Sequence, residues 1–272
     1  MSTAADMSAR LTALRAQLQR DGLDGFVIPL TDEHMSEYVG AYAQRLTWLT
    51  GFGGSAGWAV VLRDTAAIFV DGRYTLQVRD QVDAAHWRYE TRGAGSVTTW
   101  LGEHVGSGQR IGYDPWLHTR EWVAQASEAL TRKGAELSAI DANPVDTVWH
   151  DRPAPGIAPA FPHDEAFAGR SASEKVADIA AWLTARRANT LVLTALDSVA
   201  WTLNIRGSDV SHTPVALAYA VVHADARVEL FITPEKADAA LRAHMGAAVT
   251  VRPRADFARA LEVEFTGKTV AV

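Results

Sequence analysis

The feature that most restricts the fold of these 272 residues is an internal repeat. A helix-patterned stretch from Ala9 to Arg20 carries Leu11, Leu14 and Leu18 on one stripe and stops at Asp21-Gly22, a good helix terminator. Gly25-Phe26-Val27-Ile28 follows as a buried strand. Further on, Asp151 to Pro162 holds four prolines in twelve residues with no periodicity, which predicts a linker over 151–162. Beyond it the pattern starts again. Lys175 to Arg187 answers the opening helix, Leu191-Val192-Leu193 answers Phe26-Val27-Ile28, and Asp197 stands to its strand as Asp32 does to the first. Trp201 and Leu203 echo Trp48 and Leu49, Ala220-Val221-Val222 echoes Ala59-Val60-Val61, and Leu230-Phe231-Ile232 echoes Ile68-Phe69-Val70. Self-similarity of this kind predicts two α/β domains of one architecture, residues 1–150 and 163–272.

The copies differ in length. In the first, a helix from the Arg73 corner with Tyr74, Val78 and Val82 on its face is followed by strand His86 to Tyr89, helix Val97 to Val105 and strand Arg110 to Tyr113. It then adds helix Arg120 to Leu130 and strand Leu137 to Ile140. The second offers Pro234 to Ala243, Phe257 to Val263 and Thr269 to Val272, and stops there. The expectation is a second domain truncated at its C-terminal end, and a chain that is part of something longer.

Between the two strand runs of the first copy lies a corner with four glycines in seven residues, Gly51, Gly53, Gly54 and Gly57. Gly53-Gly54-Ser55-Ala56-Gly57 fits a nucleophile elbow, and Gly51 to Ala56 with Asp71 imitates a dinucleotide fingerprint. Both motifs need a helix after the glycines, whereas Ala59-Val60-Val61-Leu62 is a strand pattern. A structural turn is the better reading, with Ser55 structural. Asp71 is placed to cap the next helix, and Arg73 stands at a strand-to-helix corner, where α/β folds tend to carry ligand contacts.

Composition sets limits on partners. Apolar residues make up 48% and charged residues 21%, as in a water-soluble globular domain. The absence of cysteine excludes disulfides, zinc–thiolate sites and a thiol nucleophile. A formal charge of −6 speaks against nucleic acid or an anionic membrane as partner. No apolar run approaches membrane-spanning length and the start lacks the regions of a signal peptide, so a cytoplasmic location is expected. None of the nine histidines pairs at i, i+4 and no His-Glu-x-x-His occurs, which predicts no catalytic metal in this chain.

Ile28-Pro29-Leu30-Thr31-Asp32-Glu33-His34-Met35-Ser36-Glu37-Tyr38, the glycine corner and Asp71-Gly72-Arg73-Tyr74 together resemble the Xaa-Pro aminopeptidases (aminopeptidase P, peptidase family M24), most closely the long, three-domain cytosolic type. Asp197 to Val210 and Thr213-Pro214-Val215 resemble that family's second domain, although Thr213 stands where relatives often carry asparagine. The resemblance implies two creatinase/prolidase N-terminal-like domains, each a mixed sheet flanked by helices in a ribonuclease-H-like arrangement. The family's "pita-bread" catalytic domain, with its pair of metal ions, usually Mn(II), is absent from the chain. It also implies a parent that releases the residue ahead of proline from peptides, a parent homodimer, and a monomer for this portion.

In that frame no residue here is catalytic. Arg73 is expected to bind the peptide through a carbonyl or carboxylate and Glu37 to orient Arg73 or the substrate amine. Asp32, His34 and Tyr38 shape the loop, and Arg45 is an internal ion-pair partner. Gly207 is read as the C-cap of a helix, Asp209 as a bridge to another domain, and Trp201 as core. Two other readings stand beside this one: a stand-alone binding or assembly module without hydrolase activity, and a different small-molecule enzyme built on the glycine corner.

Overall fold

The computed structural model describes residues 4–91 and 96–272, which form two compact units, Met1–Ala154 and Pro155–Val272. In the first, strands β1 (Gly25–Pro29), β2 (Gly57–Leu62), β3 (Ala66–Val70), β4 (Arg88–Thr91), β5 (Arg110–Tyr113) and β6 (Glu136–Ala139) make one mixed sheet in the order β4-β3-β2-β1-β5-β6. Only β2 runs against the others. The three central strands are buried on both faces, and their alternating side chains therefore feed two cores. Phe26, Ile28, Ala59, Val61 and Ile68 pack on one side with Leu11, Leu14 and Leu18 of helix Ala4–Arg20. Val27, Val60, Ala67 and Phe69 pack on the other with Val97, Trp100 and Leu101 of helix Ser96–His104. Each of the larger of these side chains contributes about 2 kcal/mol by leaving water.

The helix expected from Arg73 breaks in two, a 3-10 turn Gly72–Tyr74 and a short helix Gln77–Gln81. Val78 and Val82 are buried as expected, but Leu76, between Tyr74 and Val78, is 77% exposed. Strand β4 starts two residues later than the apolar pattern implies, because Trp87 turns into the core ahead of it. A helix that the periodicity did not indicate, Pro144–Val148, is capped by Asn143 and packs against Ala4–Arg20.

The second unit contains β7 (Phe161–Pro162), β8 (Thr190–Leu193), β9 (Ile205–Arg206), β10 (Ala218–His223), β11 (Val228–Ile232), β12 (Val249–Arg252) and β13 (Val270–Ala271). Its main sheet has the order β12-β11-β10-β8-β13, with only β10 reversed. This is the first sheet over again, strand for strand, without a counterpart of β6 among the described residues. The proline-rich stretch takes part in the unit, since its end forms β7 against β9 and Ala160 is buried, its N–H donating to the Lys236 carbonyl. The expected helix Phe257 to Val263 is a short α-turn, Phe257–Arg259, running into a π-turn, Ala260–Glu264.

Gly207 is not a helix cap. The helix Leu196–Leu203 ends on Asn204, which takes the left-handed conformation at φ 49°. Gly207 is required by close approach instead, for a Cβ there would lie 2.8 Å from both the Cα and the backbone nitrogen of Ala216. Because backbone cannot rotate away as a side chain can, Gly207→Ala is expected to cost about 1–3 kcal/mol. Urea denaturation of the variant reads this directly, and an unchanged midpoint would show that the contact yields.

Candidate functional site

The register of the first sheet brings its chemistry to one end. Pro29 at the close of β1 pairs with Trp58, and Gly57 at the opening of β2 pairs with Val70 at the close of β3. The segments leaving β1 and β3 and the one entering β2 therefore emerge together, carrying Glu37, Arg73 and Ser55 respectively.

Ser55 is the link. Its hydroxyl donates to the Glu37 carboxylate at 2.7 Å and lies 2.9 Å from the Tyr74 phenol, which, with the serine proton committed to Glu37, donates to it. Gly54 makes room for this arrangement, since a Cβ there would meet the rings of Phe52 and Tyr74 at 2.4 and 2.9 Å. Arg73 lies over the Tyr74 ring, 5.2 Å from its centroid. Its Nε and Nη2 grip the Asp71 carboxylate at 3.0 and 2.6 Å, while Asp71 also accepts from the Arg73 backbone N–H at 2.9 Å. The hydrogen bonds and charge of Asp71 raise the Arg73 pKa, with Glu37 adding a smaller push in the same direction. With Nε and Nη2 committed to Asp71, the guanidinium is held in place while staying exposed.

The remaining loop residues fall into two kinds. Asp32 is fully buried, and its Oδ1 accepts from the N–H groups of His34 and Ser36 at 3.0 Å each, which folds the loop. His34 is buried with it. Tyr38 is exposed, and together with Met35 and Leu76 it supplies apolar surface on the segments that carry Glu37 and Arg73. Sequence reasoning singled out Glu37 and Arg73, but it missed Tyr74 as a polar partner and the bridging part of Ser55. The Asp-x-Arg spacing was the available sign that Asp71 would hold Arg73. The carboxylates of Glu37 and Asp71 are engaged by Ser55 and Arg73. Among the described residues no three His, Asp or Glu side chains are grouped to hold a metal ion. The site does not fit a metal.

The second unit keeps the scaffold and changes the chemistry. The 3-10 turn Pro234–Lys236 follows β11 as Gly72–Tyr74 follows β3, which puts Glu235 at the position of Arg73. Lys236, at the position of Tyr74, is buried against Asp209, whose other oxygen accepts from the Leu217 N–H at 2.6 Å. Asp209 thus serves its own unit, where the sequence reading had it bridging to another domain.

Residues 10–148 and 151–271 each match the sequence pattern of the Creatinase/Prolidase N-terminal domain. The chain belongs to that family. Similar creatinase/prolidase-type proteins include a probable Xaa-Pro aminopeptidase P of Coprinopsis cinerea, 39% identical over 251 residues, covering 91% of this chain and 40% of the relative. The corresponding protein of Neosartorya fischeri is 37% identical over 259 residues, covering 92% of this chain and 39% of the relative. Among solved structures, the X-prolyl aminopeptidase of Caenorhabditis elegans, described as a cytosolic enzyme with a di-nuclear active site, superposes with a TM-score of 0.89. Identity is 30% over 99% of this chain and 46% of that one. The chain therefore spans about two fifths of the curated relatives and resembles the N-terminal part of Xaa-Pro aminopeptidases. No helix among the described residues is long and apolar enough to cross a membrane.

Proposed function

We propose that these two units are the non-catalytic N-terminal portion of a cytoplasmic Xaa-Pro aminopeptidase. In the full enzyme they wall the cleft in which the residue ahead of proline is released. The observation that carries the reading is the single cluster at the sheet end, with Arg73 clamped by Asp71 over Tyr74 and Glu37 tied through Ser55 to the same phenol. A guanidinium held by its own neighbour does not have to be ordered when a ligand arrives, and so it binds a peptide carbonyl or carboxylate at reduced entropic cost. Glu37 lies near enough to act on Arg73 electrostatically, and its carboxylate meets the ammonium end of a peptide. The metal pair, manganese in this reading, belongs to the remainder of the enzyme.

The test is made in a full-length enzyme containing this chain, supplied with Mn(II) and an Arg-Pro-Pro peptide. Losing a hydrogen bond to a charged group, Arg73→Ala is expected to lower kcat/KM about 10- to 100-fold while leaving thermal stability unchanged. Activity within twofold of the parent would overturn the role of Arg73. The 272-residue chain alone is expected not to cleave the peptide, and turnover by it would overturn the non-catalytic assignment.

A further inference from the structure

The Pro155–Val272 unit carries a groove at the sheet end corresponding to the cluster just described. A groove of about 640 Å³ opens where β8 ends and the chain approaches β10, within the size range of ligand pockets. Leu193, Ile179 and Val215 line its apolar part, and Trp201, Arg206 and Asp197 are its prominent functional groups. The sequence reading placed Trp201 in the core, yet it is 52% exposed.

What holds this exposed indole is unusual. Lys175 is almost wholly buried, 1% exposed, and its ammonium lies 4.3 Å from the centroid of the Trp201 ring. Its hydrogen bonds run to the Trp201 carbonyl at 2.8 Å and to Asn204 Oδ1 at 2.7 Å. A buried cation is costly without a carboxylate, and no salt bridge to Lys175 is present among the described residues. One ammonium fixes both the backbone and the ring of the same tryptophan. The indole is thereby a rigid platform whose outer face is open and whose inner face is already engaged by a cation.

Charge narrows the ligand further. Arg206 acts on the same region, adding to the positive potential at Lys175. Asp197 sits in the first turn of helix Leu196–Leu203 and accepts from the Ser198 N–H at 2.8 Å, so the helix terminus offsets its charge. The groove sets the Arg206 guanidinium and the helix-terminal Asp197 beside an apolar platform that already has an ammonium behind it. A cation stacking on Trp201 is disfavoured, whereas an apolar ring with an acidic group a residue or two away suits both features.

We propose that this groove binds an extended, proline-containing acidic peptide segment, with a proline ring on the outer face of Trp201 and a carboxylate on the fork of Arg206. This goes beyond the reading of the first unit and does not depend on it.

The experiment uses the 272-residue chain and two blocked peptides, acetyl-Pro-Pro-Glu-amide and acetyl-Pro-Pro-Lys-amide, titrated while indole N–H resonances are followed by NMR. Trp201→Phe identifies the Trp201 signal. The acidic peptide is expected to shift that signal saturably and to bind about tenfold more tightly than the basic one. Arg206→Gln, a change at a half-exposed side chain, is expected to remove the preference while both peptides still shift Trp201. Equal binding of the two peptides, or no saturable shift, overturns the proposal. A Trp201 signal that moves with protein concentration alone also overturns it, because a second copy would then occupy the groove.

Discussion

Replacing Asp146 by asparagine is expected to destabilise the first unit by about 3–5 kcal/mol, the range for breaking a buried ion pair from one side. Arg45 on helix Arg45–Thr50 is 6% exposed and meets Asp146 on helix Pro144–Val148 through two hydrogen bonds of 2.7 and 2.8 Å. Burial works to lower the Arg45 pKa, but the hydrogen bonds and charge of Asp146 outweigh it, and the net shift is upward. Arg152 reaches the same carboxylate at 2.6 Å. Without the negative charge, two guanidinium groups face each other across a neutral amide, and one of them cannot reach water. Arg45→Met should cost less than Asp146→Asn, since Asp146 would keep Arg152 and a partial exposure of 22%. Chemical denaturation of both variants checks the order. If the two cost the same, or Asp146→Asn costs under about 1 kcal/mol, the pair is not the anchor described here.

The second large effect is a dependence on acid. His118 is buried among Trp58, Tyr113 and Trp122, with its ring centroid 4.4 Å from that of Trp122. Its Nδ1–H donates to the Asp114 carbonyl at 2.8 Å, which leaves Nε2 as the unprotonated nitrogen, buried without a hydrogen-bond partner. Burial lowers its pKa from 6.5 to about 4, against a small opposing pull from the Asp114 carbonyl. The unfolded chain then takes up a proton below about pH 6.5 and the folded one only below about pH 4, so the stability present above pH 6.5 declines as pH falls towards 4. The loss over that interval is about 3 kcal/mol. Carboxylates titrate near the lower end of it, and the informative quantity is therefore the difference between the parent and His118→Phe. That variant loses a hydrogen bond at all pH values, but its decline between pH 7 and 4 should be shallower by about 3 kcal/mol. Parallel curves would place the acid sensitivity elsewhere.

These effects show where the sequence stopped being readable. The strands at the centre of each sheet were legible because a run such as Ala66-Ala67-Ile68-Phe69-Val70 is apolar on both alternating faces, and a chain buries such a run only between two covering layers. The Arg45–Asp146 contact joins residues 101 apart, on a helix with no apolar periodicity of its own. Arg45 could be named as a paired residue, but not its partner. Tyr74 was read as an apolar helix position because Val78 and Val82 follow it at helical spacing. The helix breaks at Leu76, and the phenol turns to Ser55 instead.

By itself, the sequence determined that two copies of one α/β plan lie in tandem and that the family is that of the creatinase/prolidase N-terminal domains. Those follow from local periodicity, turn chemistry and repetition, each set within a few residues. The tertiary structure alone decided that Ser55 joins Glu37 to Tyr74 and that Lys175 holds Trp201 at the surface. Each depends on which strand ends lie side by side and on which polar groups lose their water, and both are properties of the packed sheet rather than of any stretch of chain.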